Sequence, residues 1–127
     1  MMPACAATPI LKTDSTTLEE HLQDCLLIGR ELSKAIPELP EVSNLGNFGE
    51  LLTIALLFHD FGKIHPEFQK VLRGEKNKWS RQRHEIYSVC YTHKLDIEPV
   101  KLKLIQKVIL AHHKSFSELK KSFCIFG

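Results

Sequence analysis

Seven histidines stand among the 127 residues, and their positions matter more than their number. His59-Asp60 closes the most apolar run of the chain, Leu51 to Phe58. His112-His113 closes a second apolar stretch. His21 lies between Leu18 and Cys25 at spacings of three and four, on the apolar stripe of an early helix. His84 is followed by Ile86, Tyr87 and Val89. Imidazole suits zinc, iron, cobalt and nickel, and with a carboxylate also manganese. Five such histidines with one aspartate have the donors to hold two ions. Neighbours on a helix point about 100° apart, so an adjacent pair such as His112-His113 need not serve one ion. Taken singly, each residue has a plainer reading: a hydrogen-bonded core histidine, a half-buried helix residue, a chance dipeptide. Together they carry more weight, because polar groups at apolar helix ends must satisfy one another or a cation. His65, just before Pro66, reads as the start of a helix, and His93 has no clear companion.

The elements that must position these groups read as helices throughout. Thr16-Thr17-Leu18-Glu19 fits a capping box that opens a first helix near Thr16. Leu18, Leu22, Cys25, Leu26, Gly29, Leu32 and Ile36 then recur at helical spacing up to Pro37. Residues 37–46 read as a loop. Asn47, with Glu50 three residues on, opens a second helix running to Phe58. It is apolar nearly all round and so expected at the centre. Gly62 breaks the chain after it. Pro66 and Gly74 bracket a short third helix. Ser80 is expected to open a fourth helix reaching about Leu95, and Pro99 a fifth that carries Val100, Leu104, Ile105, Val108, Ile109 and His112. Ser115 with Glu118 fits the cap of a sixth. No segment alternates with period two, so the fold class is all-α, a bundle of about five to six helices.

Composition narrows the setting. A hydrophobic fraction of 43% and a charged fraction of 25% describe an ordinary globular domain, not a disordered tail. The longest apolar run is far short of the ~20 residues that span a bilayer, so no membrane partner is expected. Residues 1–14 carry no basic stretch followed by an apolar core. Four cysteines lie far apart without paired spacing, as free thiols in a reducing cytoplasm would. The net charge of +2 hides an asymmetry. Residues 1–60 carry three Lys/Arg against nine Asp/Glu, and residues 61–127 fourteen against six. Within the basic part, residues 73–83 hold five cationic side chains around Trp79, the single tryptophan, and lead directly into His84. Lys76, Lys78, Arg81 and Arg83 suit phosphates, and Trp79 suits an unpaired base. The plainer reading is a polar loop whose indole folds back on the core.

The segment His59-Asp60-Phe61-Gly62-Lys63, followed by His65-Pro66-Glu67-Phe68-Gln69, resembles the signature of CRISPR-associated HD-domain nucleases. These form the nuclease part of the type I interference helicase–nuclease. Leu18-Glu19-Glu20-His21-Leu22 matches the family's early histidine, Arg83-His84-Glu85 its later Arg-His-Glu, and Ala111-His112-His113 its His-His pair. Four elements in the right order across residues 18–113 are a specific match. The resemblance implies an HD-type helical bundle with up to two divalent ions, whether manganese, magnesium, nickel, cobalt or zinc. It implies that His21, His59 and Asp60 hold one ion and that His84, His112 and His113 hold the other, with Asp60 as a bridge. Asp60 and Lys63 are then the catalytic residues, Lys63 by offsetting charge that develops on a phosphate.

The expected function is metal-dependent hydrolysis of phosphodiester bonds in single-stranded DNA during CRISPR interference. The expected partners are that DNA, a helicase chain or domain and the CRISPR surveillance complex. The alternatives are an HD phosphohydrolase acting on a small nucleotide or phosphomonoester, and an inactive HD fragment that serves as a partner-binding module. The family's first ion usually takes a further carboxylate from a downstream helix, and here no aspartate follows Asp96. Residues 1–127 are therefore expected to form one domain incomplete at its C-terminal end. Such a domain is expected to hold metal incompletely, to cleave weakly and to be prone to self-association.

Overall fold

The computed structural model describes residues 9–13, 15–115 and 117–118. Six α-helices appear among them: α1 Leu18–Ala35, α2 Leu39–Ser43, α3 Phe48–Phe58, α4 Pro66–Leu72, α5 His84–Thr92 and α6 Pro99–Ala111. A 3₁₀ turn, Phe61–Ile64, joins α3 to α4. No strand forms among the described residues; a single antiparallel bridge pairs Leu11 with Thr17. The fold is the all-α bundle that the periodicity predicts. No helix among the described residues is long and apolar enough to cross a membrane.

The core explains why α3 is central. Leu51 and Ala55 of α3 meet Ile105 and Ile109 of α6, and Ile109 is fully buried. Leu45, Ile54, Phe58, Val89, Ile97 and Leu104 pack around them. On its other side α3 lies against α1, where Gly29 gives the Leu52 and Leu56 side chains room to approach. The two ends that matter most, those of α3 and α6, are thus fixed by one shared apolar cluster.

Several boundaries differ from the sequence expectation, each for a local reason. The capping box of α1 is one residue later: the Thr17 hydroxyl accepts from Glu20 N–H, and Glu20 accepts from Thr17 N–H. Thr16 and Thr17 each have a glutamate three residues on, so both registers satisfy the pattern. The Thr16 carbonyl instead accepts from Lys12 and Thr13 N–H, which places it in the preceding turn. Residues 37–46 are not all loop. Pro40 sits in the first turn of the short α2, where proline costs nothing, and Asn44 ends it in a left-handed conformation, φ 55°. Helix α5 begins at His84 rather than Ser80. Arg81 takes φ 53°, and the Gln82 carbonyl accepts from the Trp79 indole at 2.9 Å, which holds residues 80–83 out of helical geometry. Helix α5 also ends early, at Thr92, with His93 as its cap. Ser115 and Glu118 do exchange the two capping-box hydrogen bonds, and residues 117–118 are helical; the rest of the expected sixth helix lies outside the described residues.

Candidate metal centre

Asp60 is the hub, and the chain places it through two tight contacts. It follows His59, the cap of α3, at the start of the 3₁₀ turn. Gly62 in that turn touches α5: a Cβ there would lie 1.8 Å from the His84 carbonyl oxygen. Only glycine permits this approach. The Gly62 N–H donates to Ser88 Oγ at 2.7 Å, and Ser88 in turn donates to the His84 carbonyl. The turn carrying Asp60 is therefore locked onto the first turn of α5, which carries His84.

The result is a carboxylate, 2% exposed, ringed by imidazoles. Oδ2 lies 3.1 Å from His21 Nε2 and 3.2 Å from His59 Nε2. Oδ1 lies 3.1 Å from His84 Nε2 and 3.3 Å from His112 Nε2. His113 Nε2 stands 3.1 Å from His84 Nε2. All six residues proposed as ligands from sequence are thus brought together, from α1, α3, the 3₁₀ turn, α5 and the end of α6. His65 and His93 lie elsewhere. His65 caps α4, where its Nδ1 accepts from Glu67 N–H at 3.2 Å.

Two of the imidazoles are aimed by the same device. His59 follows the last residue of α3, and its Nδ1–H donates to the Leu56 carbonyl at 2.6 Å. His112 follows the last residue of α6, and its Nδ1–H donates to the Ile109 carbonyl at 2.5 Å. A carbonyl only accepts, so in each neutral ring Nε2 is left as a bare lone pair facing Asp60. A lone pair cannot donate to a carboxylate. His112 Nε2 is accordingly buried without a hydrogen-bond partner, although Asp60 Oδ1 is 3.3 Å away.

Charge is adjusted to this arrangement. Burial would raise the Asp60 carboxyl, but His112, His59 and His84 outweigh it and hold the group well below the usual carboxylate range. Burial acts against charge on His112, yet a proton on Nε2 would turn that lone pair into a donor to Asp60, and Asp60 with the Ile109 carbonyl raises the His112 pKa above the ordinary value. His21 is pushed down by burial and by Lys12. Burial, with His112 and His84 beside it, likewise lowers His113.

A cation resolves the orphaned lone pairs. Bonds of ~2.0–2.2 Å from one ion to nitrogen and oxygen put neighbouring donor atoms ~3.0–3.5 Å apart. The 3.1–3.3 Å separations around Asp60 fall inside that span. Asp60, His84, His112 and His113 offer one set of converging ligand atoms, and His21, Cys25 and His59 a second. The donor set fits one or two divalent ions, and the two carboxylate oxygens divide between the sets.

Lys63 is 7% exposed, 3.7 Å from Asp60 Oδ2, and its Nζ donates to the Lys12 carbonyl at 3.3 Å. Burial lowers its pKa, against the pull of Asp60. A segment from the N-terminal side covers it. The Gln69 amide accepts from Leu11 N–H and donates to the Leu11 carbonyl, both at 2.7 Å, and donates to the Lys63 carbonyl at 2.6 Å.

The basic loop takes a defined course. Trp79 packs edge-on to Phe68 and against His65 and Tyr87, and Phe68 in turn packs against His84. Lys76, Lys78 and Arg81 are exposed. Arg83 pairs with the buried Glu85 at 2.8 Å. The Glu67 carboxylate holds the loop by accepting from Lys78 N–H at 2.6 Å and from Lys70.

Sequence reasoning missed three contributors. The sequence presents Cys25 as an apolar-stripe residue and a free thiol, although it stands four residues from His21 on one helix face. Ser88 and the clasping amide of Gln69 act across 26 and 58 residues, and no local pattern announces them.

A family model described as "HD domain" matches residues 18–123. No curated protein and no solved structure matches the chain.

Proposed function

Because this chain belongs to the HD-domain family, whose members are metal-dependent hydrolases, we propose that it hydrolyses phosphodiester bonds in single-stranded DNA. The observation that carries this reading is the sharing of Asp60 between two sets of imidazoles, one facing each oxygen. When bound there, a pair of divalent ions supplies an activated water and neutralises phosphate oxygens during in-line attack.

The chain's own residues do the positioning. The Leu56 and Ile109 carbonyls fix the rings of His59 and His112 so that Nε2 points inward. Asp60 remains ionised and orders both sets. Lys63, 3.7 Å from Oδ2, offsets negative charge beside it. His113 is exposed, so the α5–α6 side of the centre is the one open to a substrate. The loop leading into His84 presents Lys76, Lys78 and Arg81 to the phosphate backbone. Trp79 anchors that loop through the aromatic group around Phe68, and Arg83 ties its end to Glu85. The four-element resemblance over residues 18–113 supports a role in CRISPR interference beside a helicase chain and the surveillance complex.

A second reading has one observation in its favour. The Trp79 indole is packed on Phe68, His65 and Tyr87 and its N–H is spent on Gln82, so it is not a free platform for a base. That suits a small nucleotide or phosphomonoester. Competition decides between them. Metal-free chain reloaded in turn with manganese, magnesium, nickel, cobalt or zinc is assayed on single-stranded DNA. Inhibition by single-stranded oligonucleotide well below the concentration needed for a mononucleotide supports the nuclease. The reverse order supports the small-substrate enzyme.

A further inference from the structure

Cys25 belongs to the same constellation as His21 and His59. Its Sγ lies 3.5 Å from His21 Nε2 and 3.8 Å from His21 Nδ1. Cys25, His21 and His59 each bring a ligand atom within 4.8 Å of the others. His21 Nε2 also lies 3.1 Å from His59 Nε2 and 3.1 Å from Asp60 Oδ2. Three electron-rich atoms therefore crowd one ring nitrogen, which has at most one hydrogen to offer. His59 cannot supply another, since its N–H is spent on the Leu56 carbonyl. An ionised carboxylate only accepts. The Cys25 thiol adds one hydrogen toward His21, yet His59 Nε2 and Asp60 Oδ2 still cannot both be given a donor, whereas a cation held by Sγ and the two ring nitrogens, with Asp60 Oδ2 beside it, satisfies the group. An ion bound at ~2.3 Å to sulfur and ~2.0–2.1 Å to nitrogen sets those two atoms ~3.5 Å apart, as Sγ and His21 Nε2 are.

We infer that Cys25 is a ligand, as the thiolate, of the ion held by His21, His59 and Asp60. On binding, the S–H bond breaks and its proton passes to solvent as the sulfur–metal bond forms. A thiolate makes this side of the centre select zinc, cobalt, nickel or ferrous iron over magnesium or manganese. The side built from His84, His112 and His113 has no sulfur and keeps the wider choice. The inference rests on the metal-centre reading above. A thiol that merely donates a hydrogen bond to His21 makes the same 3.5 Å contact, so the test must see the sulfur–metal bond itself.

Titration of the metal-free chain with cobalt(II) does so. A near-ultraviolet sulfur-to-cobalt band is expected, saturating at one equivalent per chain. The Cys25→Ser variant, which retains Cys5, Cys90 and Cys124, is expected to lose that band and still bind cobalt through the α5–α6 side. The unmodified chain gives a second measurement. Zinc at ~10 times its Kd slows alkylation of Cys25 about tenfold by mass action, read by peptide mass, and leaves Cys90 unaffected. Cobalt bound without a sulfur band, a band that survives Cys25→Ser, or alkylation indifferent to zinc would each remove Cys25 from the site and leave the metal centre standing. No cobalt bound at all would overturn both.

Discussion

The two sides of the centre use the same device and end differently. On each, a histidine just past a helix end gives its Nδ1–H to a carbonyl three residues back and turns Nε2 toward Asp60. On the α1–α3 side, His59 Nε2 then meets His21, with Cys25 closing the group from α1. On the α5–α6 side, His112 Nε2 is left without a hydrogen-bond partner, and His113 reaches solvent. One side is closed by a half-buried thiol and the other opens outward. A helix end is thus a generic way to aim an imidazole. The third residue decides whether the aimed group is enclosed or presented to a substrate.

The change that ought to erase the distinction altogether is Asp60→Ala, because both sides lean on its two oxygens. Metal-dependent cleavage is expected to fall by more than the ~10–100-fold that loss of an outer-sphere partner costs. Far-ultraviolet circular dichroism should stay helical. Wild-type cleavage by this variant would take Asp60 out of the chemistry.

Gly62→Ala attacks the joint between the sides. The new methyl meets the His84 backbone at 1.8 Å, and backbone cannot swing aside. A loss of ~3 kcal/mol or more is expected in denaturant unfolding, at the upper end of overpacking. An unchanged midpoint would mean that the turn and α5 are not held together in solution.

Removing one histidine at a time sharpens the comparison. A site saturated to 100 Kd adds ~2.7 kcal/mol of stability. His112→Ala should forfeit about that amount of metal-dependent stabilisation and one equivalent of bound ion. His59→Ala should forfeit the other equivalent. Loss of both ions from either single variant, read by calorimetric titration, would show one shared site instead of two.

Ser88→Ala strips the hydroxyl that accepts from Gly62 N–H. A buried donor left unpaired costs ~1–3 kcal/mol. The loss should appear in stability, with bound-metal stoichiometry unchanged. The smallest effect is expected in the loop. Lys76→Ala or Lys78→Ala should each lower the salt slope of single-strand binding by ~0.7 if that lysine contacts a phosphate. An unaltered slope would assign the loop a different role.

Much of this was readable from residue types because the decisive signals are local. Pro66 and Pro99 mark helix starts, and His59-Asp60 and His112-His113 mark helix ends, by rules that act within a turn or two. What was not readable depends on contacts made at a distance. The start of α5 is set by Arg81 in a left-handed conformation and by Trp79 packed on Phe68, and nothing within residues 80–83 forbids a helix. The register of the α1 cap was ambiguous because Thr16 and Thr17 both fit, and the backbone partners of Thr16 decided it. The burial of Lys63 follows from a segment fifty residues earlier in the chain, invisible to any window around Asp60. Cys25 is legible in principle, one turn from His21, but the same spacing also places it on the apolar stripe of α1.

The Gln69 clasp also orders events in time. It joins residues 58 apart, so closing that loop is entropically expensive until the helices between have already brought its ends together. Leu11 is therefore expected to be among the last residues to reach Gln69 as the chain folds and among the first to release it as the chain opens. Its amide proton, held by a side chain instead of a helix, becomes a clock for that step: its exchange with deuterium times the opening of the cover over Lys63, while Ile105 and Ile109 report only global unfolding.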